Sequence, residues 1–159
     1  MARQLEAEHR PAAADSGMGL VPWSPLAGGF LTGKYTRADT AGQGRLSGNN
    51  PFQGPFTKFT DRNWAILDTL REVAAQTGHT PAQVALAWAA AQPGVTSTLI
   101  GASTPGQLAA NLASLDVRLT TEQLDVLNRV SSPGPDFFSP GLQRAVFGGV
   151  SVQGWPVPG

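Results

Sequence analysis

Three segments of the chain carry the same helix-start pattern, in which a glutamine follows a threonine by three residues. The segments begin at Thr80, Thr104 and Thr120, and a proline directly follows the first two threonines. The threonine hydroxyl of such a pattern caps the free N–H groups of a helix, and the glutamine reaches back to the cap. Proline is also favoured at the first helical position. The pattern therefore predicts helices that run to about residues 91, 114 and 130.

Two further helices are predicted earlier in the chain. Residues 5–16 favour a short helix that Gly17 ends, because glycine readily adopts the left-handed conformation found after a last helical turn. Residues 61–77 favour a longer helix, capped by Asp61 and ended by Gly78. Ordered helical sequence is thus expected from about residue 61 to about residue 130.

Short apolar runs at residues 19–23 and 98–100 are predicted to be strands, although periodicity alone leaves a helical fragment open for the first. The order strand, loop, helix favours an α/β fold with parallel strands. Ligands of such folds gather at the carboxyl ends of the strands. The segments that follow the two runs, residues 23–34 and 101–111, are therefore the candidate binding segments.

The second candidate segment combines hydroxyls with a helix start. Gly101 permits close backbone approach, Ser103 offers a hydroxyl, and the N–H groups of a helix start attract an anion. Gln107 and Asn111 lie four residues apart, so they share one helical face, and two amides on one face suit the edge of a purine. The alternative is that Gln107 only closes a capping box with Thr104 and that Asn111 is a solvated surface residue.

The first candidate segment reads WSPLAGGFLTGKY. Trp23 stands at a predicted strand end, where an aromatic ring is either core or a platform for a flat ligand. Ser24 and the backbone near Gly28 are candidates for binding phosphate oxygens. Lys34 and Arg45 are the nearby cations, and the alternative for both is a solvated charge on a long loop.

Composition removes several function classes. The 159 residues hold 11 basic and 11 acidic side chains, so the neutral chain offers no electrostatic attraction for nucleic acid or an anionic membrane. The absence of cysteine excludes disulfides, thiolate metal sites and a cysteine nucleophile. No apolar run approaches the roughly 20 residues of a membrane-spanning helix. With no readable export signal, we expect a cytoplasmic protein.

Together, three motifs resemble the C-terminal part of an aldo-keto reductase. They are SPLAGGFLTGKY at residues 24–35, TPAQVALAW at 80–88 and LIGASTPGQLAANL at 99–112. The likeness covers roughly residues 3–130. It implies an α/β fold, the C-terminal part of a TIM-type (β/α)8 barrel, with two short parallel strands and several helices in an incomplete barrel. Residues 1–130 would form this segment, and 131–159 a tail rich in proline and glycine.

The same resemblance implies an NADP(H)-dependent oxidoreductase that interconverts carbonyls and alcohols. Trp23 would stack on the nicotinamide, and Ser24, Leu26 and Gly28 would line the pyrophosphate. Lys34 and Arg45 would approach the adenosine phosphates. The ribose 2′-phosphate and adenine would be held by Gly101, Ser103, Gln107 and Asn111. Ala110 departs from the family, which often places an acidic residue there against the adenine.

No catalytic residue is assigned. By resemblance, the family's tyrosine, lysine, aspartate and histidine lie in the first half of the barrel, whereas Tyr35 belongs to the GKY motif, and His9 and His79 resemble helix-end residues. We therefore expect a partial reading frame of a longer reductase, acting on a small-molecule carbonyl only when the other half is present. The alternatives are a non-catalytic nucleotide-binding or regulatory module, and a truncated fragment without function.

Overall fold

The computed structural model describes residues 3–6, 9–40, 46 and 58–133, and these residues are mostly helical. The α-helices are α1 (His9–Asp15), α2 (Asp61–Thr77), α3 (Pro81–Ala90), α4 (Pro105–Leu112) and α5 (Thr121–Ser131). Short 3₁₀ segments occupy Gln4–Glu6, Ala27–Thr32 and Ala113–Asp116. No helix among these residues is long and apolar enough to cross a membrane.

The core lies where α2 packs against α3 and α5. Leu67 and Leu70 of α2, Val84 of α3 and Leu127 of α5 are fully buried there. The apolar residues of α2 recur every three or four positions, which places them on one face of the helix. Burial of each large aliphatic side chain stabilises the fold by about 1.5–3 kcal/mol, so this three-helix contact is the main source of stability.

Threonine hydroxyls cap the N-termini of the core helices. Thr80 and Thr120 close complete capping boxes with Gln83 and Gln123, as the sequence pattern predicts. The prediction that Asp61 caps α2 is wrong: Thr60 is the cap, because its extended backbone lets its hydroxyl accept from the N–H of Asn63. Asp61 instead occupies the first turn, where its negative charge complements the helix dipole.

Helix ends follow the glycines but not every predicted boundary. Gly17 and Gly78 adopt left-handed conformations, with φ of 65° and 69°, directly after the regions they were predicted to end. The helix from Pro105 ends at Leu112 and tightens into 3₁₀ geometry, earlier than predicted. Helix α5 continues to the buried Ser131, one residue beyond its predicted end. The rest of the tail, from residue 134, lies outside the described residues.

The two predicted strands pair in parallel, but only through isolated bridges between Leu20 and Val95 and between Trp23 and Leu99. Three steps along the first run match four steps along the second, so one residue is extra and the ladder is interrupted. Pro22 also lies between the bridges and has no N–H to donate. No strand longer than a bridge therefore forms in the described part of the chain.

One side of this pairing is exposed. Val21, Trp23 and Leu99 present 58%, 76% and 62% of their surfaces to solvent. Leu20 and Val95 are half-buried. No described residue therefore covers this side of the pairing.

The caps give a direct test of helix stabilisation. Thr120→Ala removes the hydroxyl that accepts from the N–H of Gln123, so we expect the free energy of unfolding to fall by about 1 kcal/mol. The neighbouring Thr121→Ala, at the first helical position, should change it by less than about 0.5 kcal/mol. Urea unfolding followed by circular dichroism measures both variants. Equal losses would contradict the capping role of Thr120.

Candidate functional site

The backbone after Trp23 is unusually rich in left-handed conformations. Ser24 and Ala27 have φ of 55° and 52°, which side-chain-bearing residues rarely adopt. Gly28 and Gly29 follow with φ of 68° and 93° and interrupt the 3₁₀ segment Ala27–Thr32. Such conformations cost about 1–3 kcal/mol at residues other than glycine and cluster at binding sites. The first candidate segment is therefore a constrained turn.

This turn leaves backbone donors free. No hydrogen bond joins the N–H of Leu26 or Gly28 to another described residue, whereas the N–H groups of Ala27 and Gly29 are both bonded within the turn. Unpaired backbone N–H groups that alternate along a turn form a concave arrangement suited to an anion. The geometry thus offers donors at two of the positions expected to line a pyrophosphate.

A tight contact covers the other side of Gly28. A Cβ atom at this position would lie 2.9 Å from Cδ2 of Leu46, so the Leu46 side chain would have to move to admit one. The Leu46 backbone is itself fixed, because its N–H donates to the Tyr35 hydroxyl at 3.1 Å. Tyr35 is 1% exposed and its ring contacts Phe59. Tyr35 therefore supports the turn through Leu46, which lies against Gly28.

Lys34 lies across the same turn. Its Nζ atom would be 3.2 Å from a Cβ atom at Gly29, and it also lies 5.1 Å from the centre of the Tyr35 ring. The side chain is exposed. The structure therefore places an exposed positive charge beside a turn in which the N–H groups of Leu26 and Gly28 have no partner among the described residues.

Aromatic packing anchors the turn to the core. Phe30, at the end of the glycine pair, contacts Trp64 of α2 with ring centres 4.9 Å apart, and it contacts Phe59 at 6.0 Å. Phe30 and Leu31 are almost completely buried. The strained residues are thus held by neighbours whose burial offsets the cost of the strain.

The start of α4 differs from the other two capped helices. The Thr104 hydroxyl accepts from the N–H of Gln107, as predicted. However, the Gln107 side chain accepts from the N–H of Ser103 at 2.8 Å, whereas Gln83 and Gln123 return to the cap residue itself. The N–H of Thr104 consequently has no partner among the described residues. The N–H of Gly106, at the second helical position, has none either, because a capping box bonds only the cap and third positions.

Asn111 is not the solvated surface residue that the alternative interpretation requires. Only 9% of it is exposed, although its neighbours on α4 are open to solvent. Its side chain makes no hydrogen bond to another described residue, and Gln83 of α3 donates to the adjacent Ala110 carbonyl. A largely buried amide, without a hydrogen-bond partner among the described residues, thus lies one turn beyond Gln107.

The bridge between Trp23 and Leu99 determines which predicted residues come together. It places Trp23, which directly precedes Ser24, beside Leu99, which lies two residues before Gly101. The two candidate segments therefore start side by side. Gly101 and Ser103 are exposed on the second of them. Arg45 lies outside the described residues. Sequence reasoning missed the supporting roles of Tyr35, for which the GKY motif was the only signal, and of Leu46, which no motif indicates.

One cleft among the described residues lies away from these two segments. A cavity of about 320 Å³ opens between α3, the Ala113–Asp116 segment and the start of α5. Its wall includes Leu86, Leu115 and Leu124, and none of the predicted site residues contributes to it. We regard it as a gap between helices, because the unusual backbone and the free donors lie around the bridged segments.

Gly28 provides a test of the crowded turn. Gly28→Ala and Gly78→Ala introduce the same side chain at nearly equal φ, 68° and 69°, but only the first meets a neighbour. We expect Gly28→Ala to lower the free energy of unfolding by about 1 kcal/mol more than Gly78→Ala, since Leu46 must move. Urea unfolding compares them, and equal losses would show that the turn has room for a methyl group.

Comparison with known proteins identifies the family. The model of the Aldo/keto reductase family matches residues 1–132. A probable voltage-gated potassium channel subunit beta of rice is 34% identical over 134 residues, covering 83% of this chain and 41% of the relative. An uncharacterised oxidoreductase of Bacillus subtilis is 35% identical over 133 residues, covering 84% and 38%.

A third relative is the versiconal hemiacetal acetate reductase of Aspergillus parasiticus. It is 32% identical over 133 residues, which are 84% of this chain and 38% of the relative. The chain thus spans about two fifths of the length of the curated relatives it matches. The family's fold is a (β/α)8 barrel, and the paired runs with their following helices are consistent with part of one. The chain belongs to the aldo/keto reductase family.

Proposed function

We propose that the two bridged segments bind NADP(H) for an oxidoreductase that interconverts a carbonyl and an alcohol. The observation that carries the proposal is the pairing of Trp23 with Leu99, from which both segments start side by side. A dinucleotide needs two separated sites, one for each end, and a pair of neighbouring strand ends supplies them. Family membership supports the same chemistry.

The residues present fit such a cofactor. Free N–H groups at Leu26 and Gly28, with Lys34 beside them, match the negative charge of a pyrophosphate. The exposed indole of Trp23 has the flat apolar surface that a nicotinamide ring requires. When bound, the nicotinamide would supply or accept the hydride. The chain's own residues would orient the ring and hold its phosphates.

The second candidate segment would hold the adenosine end of the dinucleotide. The free N–H groups at the start of α4, together with the Ser103 hydroxyl, suit a ribose 2′-phosphate. Gln107 and Asn111 would bind the adenine edge, with Gly101 allowing close approach. Preference for NADP(H) over NAD(H) is part of the proposal and rests on these donors.

The names of two relatives favour a second candidate function. The rice protein and a 34% identical Arabidopsis protein are both called probable voltage-gated potassium channel subunit beta. This chain would then be part of a non-catalytic nucleotide-binding module. The two candidates share the dinucleotide site and differ in whether the bound cofactor is turned over with an aldehyde.

Tryptophan fluorescence tests the binding site. We expect NADPH to quench the emission of the protein, because the nicotinamide would cover an indole that is 76% exposed. Trp155 lies outside the described residues, so the comparison is made in Trp155→Phe. Adding Trp23→Phe to that variant should remove much of the quench, since Trp64 and Trp88 are buried. NADH should require a higher concentration than NADPH for the same effect.

Two results would contradict the proposal. One is the absence of quenching at millimolar NADPH, and the other is an undiminished quench when Trp23→Phe is added to Trp155→Phe. NADPH consumption with an aldehyde separates the two functions in a protein that also carries the first half of the barrel, where the family's tyrosine, lysine, aspartate and histidine are expected. There, turnover supports the oxidoreductase, whereas binding without turnover favours the regulatory module.

A further inference from the structure

Lys34 is held from both sides by one residue of helix α2. Nη2 of Arg71 donates to the carbonyl of Gly33 at 3.1 Å and to the carbonyl of Tyr35 at 3.3 Å. These are the carbonyls of the residues directly before and after Lys34. A single guanidinium therefore binds the peptide group directly before Lys34 and the peptide group that follows Tyr35.

The guanidinium is itself fixed by a chain of charges. Nη1 of Arg71 lies 3.2 Å from Asp68, and Asp68 lies 3.6 Å from Arg37. Arg37 also pairs with Asp61 at 3.2 Å and lies over the Trp64 ring. Isolated surface ion pairs contribute little, but three members of this network, Asp61, Asp68 and Arg71, lie on one helix, which restricts their orientation. Helix α2 thus provides a firm base for the segment around Lys34.

Close packing adds to this restriction. Gly33 has a φ of 81°, and a Cβ atom there would lie 3.6 Å from Nε of Arg71 and 3.7 Å from Cγ of Pro81. The guanidinium therefore lies against the backbone at the residue that directs the chain into Lys34. A shift of Arg71 would move the start of the lysine side chain relative to Gly29.

We propose that Arg71 is a positioning residue for cofactor binding, which holds Lys34 at the free N–H groups of the Leu26–Gly28 turn. This inference rests on the proposed dinucleotide site. It assigns to α2, which contributes none of the expected cofactor ligands, control over the affinity for the cofactor's phosphates. The fork of the guanidinium is required, because two carbonyls and a carboxylate are bound at once.

Arg71→Lys separates positioning from charge. Lysine keeps the positive charge but presents a single ammonium group that cannot reproduce the fork. We expect Arg71→Lys and Arg71→Met to weaken NADPH binding similarly, by roughly threefold to tenfold, as measured by isothermal titration calorimetry of the protein. Retained affinity in Arg71→Lys would overturn the inference, since the charge alone would then suffice.

Arg62 offers a matched control on the same helix. It also donates to two backbone carbonyls, those of Ser131 and Ser132, but these belong to the end of α5. Arg62→Met should lower stability without changing the dissociation constant of NADPH. An equal loss of affinity in Arg62→Met would show a general structural effect and overturn the inference.

A double-mutant cycle supplies the decisive readout. If Arg71 acts through Lys34, Arg71→Met should weaken NADPH binding several-fold in the natural chain but hardly at all in Lys34→Met. Additive losses would overturn the positioning role while leaving the dinucleotide site intact. If the unmodified protein binds no NADPH, the proposed function itself fails, and this outcome is distinct from a failure of the positioning role alone.

Discussion

Parallel pairing of two short backbone runs is the constraint on which the candidate site depends. Leu20 bridges Val95, and Trp23 bridges Leu99, so two segments separated by about 75 residues in sequence start side by side. Helices α2 and α3 lie between them in sequence and supply most of the core residues. Without the bridges, the strained turn after Trp23 and the start of α4 would be unrelated surface features.

The two segments expose backbone donors by different means. Around Gly28, the left-handed backbone leaves the N–H groups of Leu26 and Gly28 without a partner among the described residues, whereas those of Ala27 and Gly29 are bonded within the turn. At α4, the Gln107 side chain bonds one residue upstream of the cap and leaves the Thr104 N–H free. In both cases the donors come from the backbone, so a chain with no net charge can still offer a site for a highly charged ligand.

The sequence predicts the helices well, because threonine caps and glycine ends act within a few residues of each boundary. The cap at Thr60 was missed because both threonine and aspartate are good caps, and only the backbone geometry selects between them. The strands are shorter than predicted, since the extra residue opposite Pro22 is a property of the pair rather than of either run. The roles of Leu46 and Arg71 depend on contacts between distant segments, and no local pattern signals them.

Amide chemical shifts during an NADPH titration test most directly whether both segments act on one ligand. The account predicts saturable shifts, with one dissociation constant, at Leu26 and Gly28 in the first segment and at Thr104 and Gly106 in the second. Shifts confined to one segment, or centred on the cleft beside Leu86 and Leu124, would contradict it.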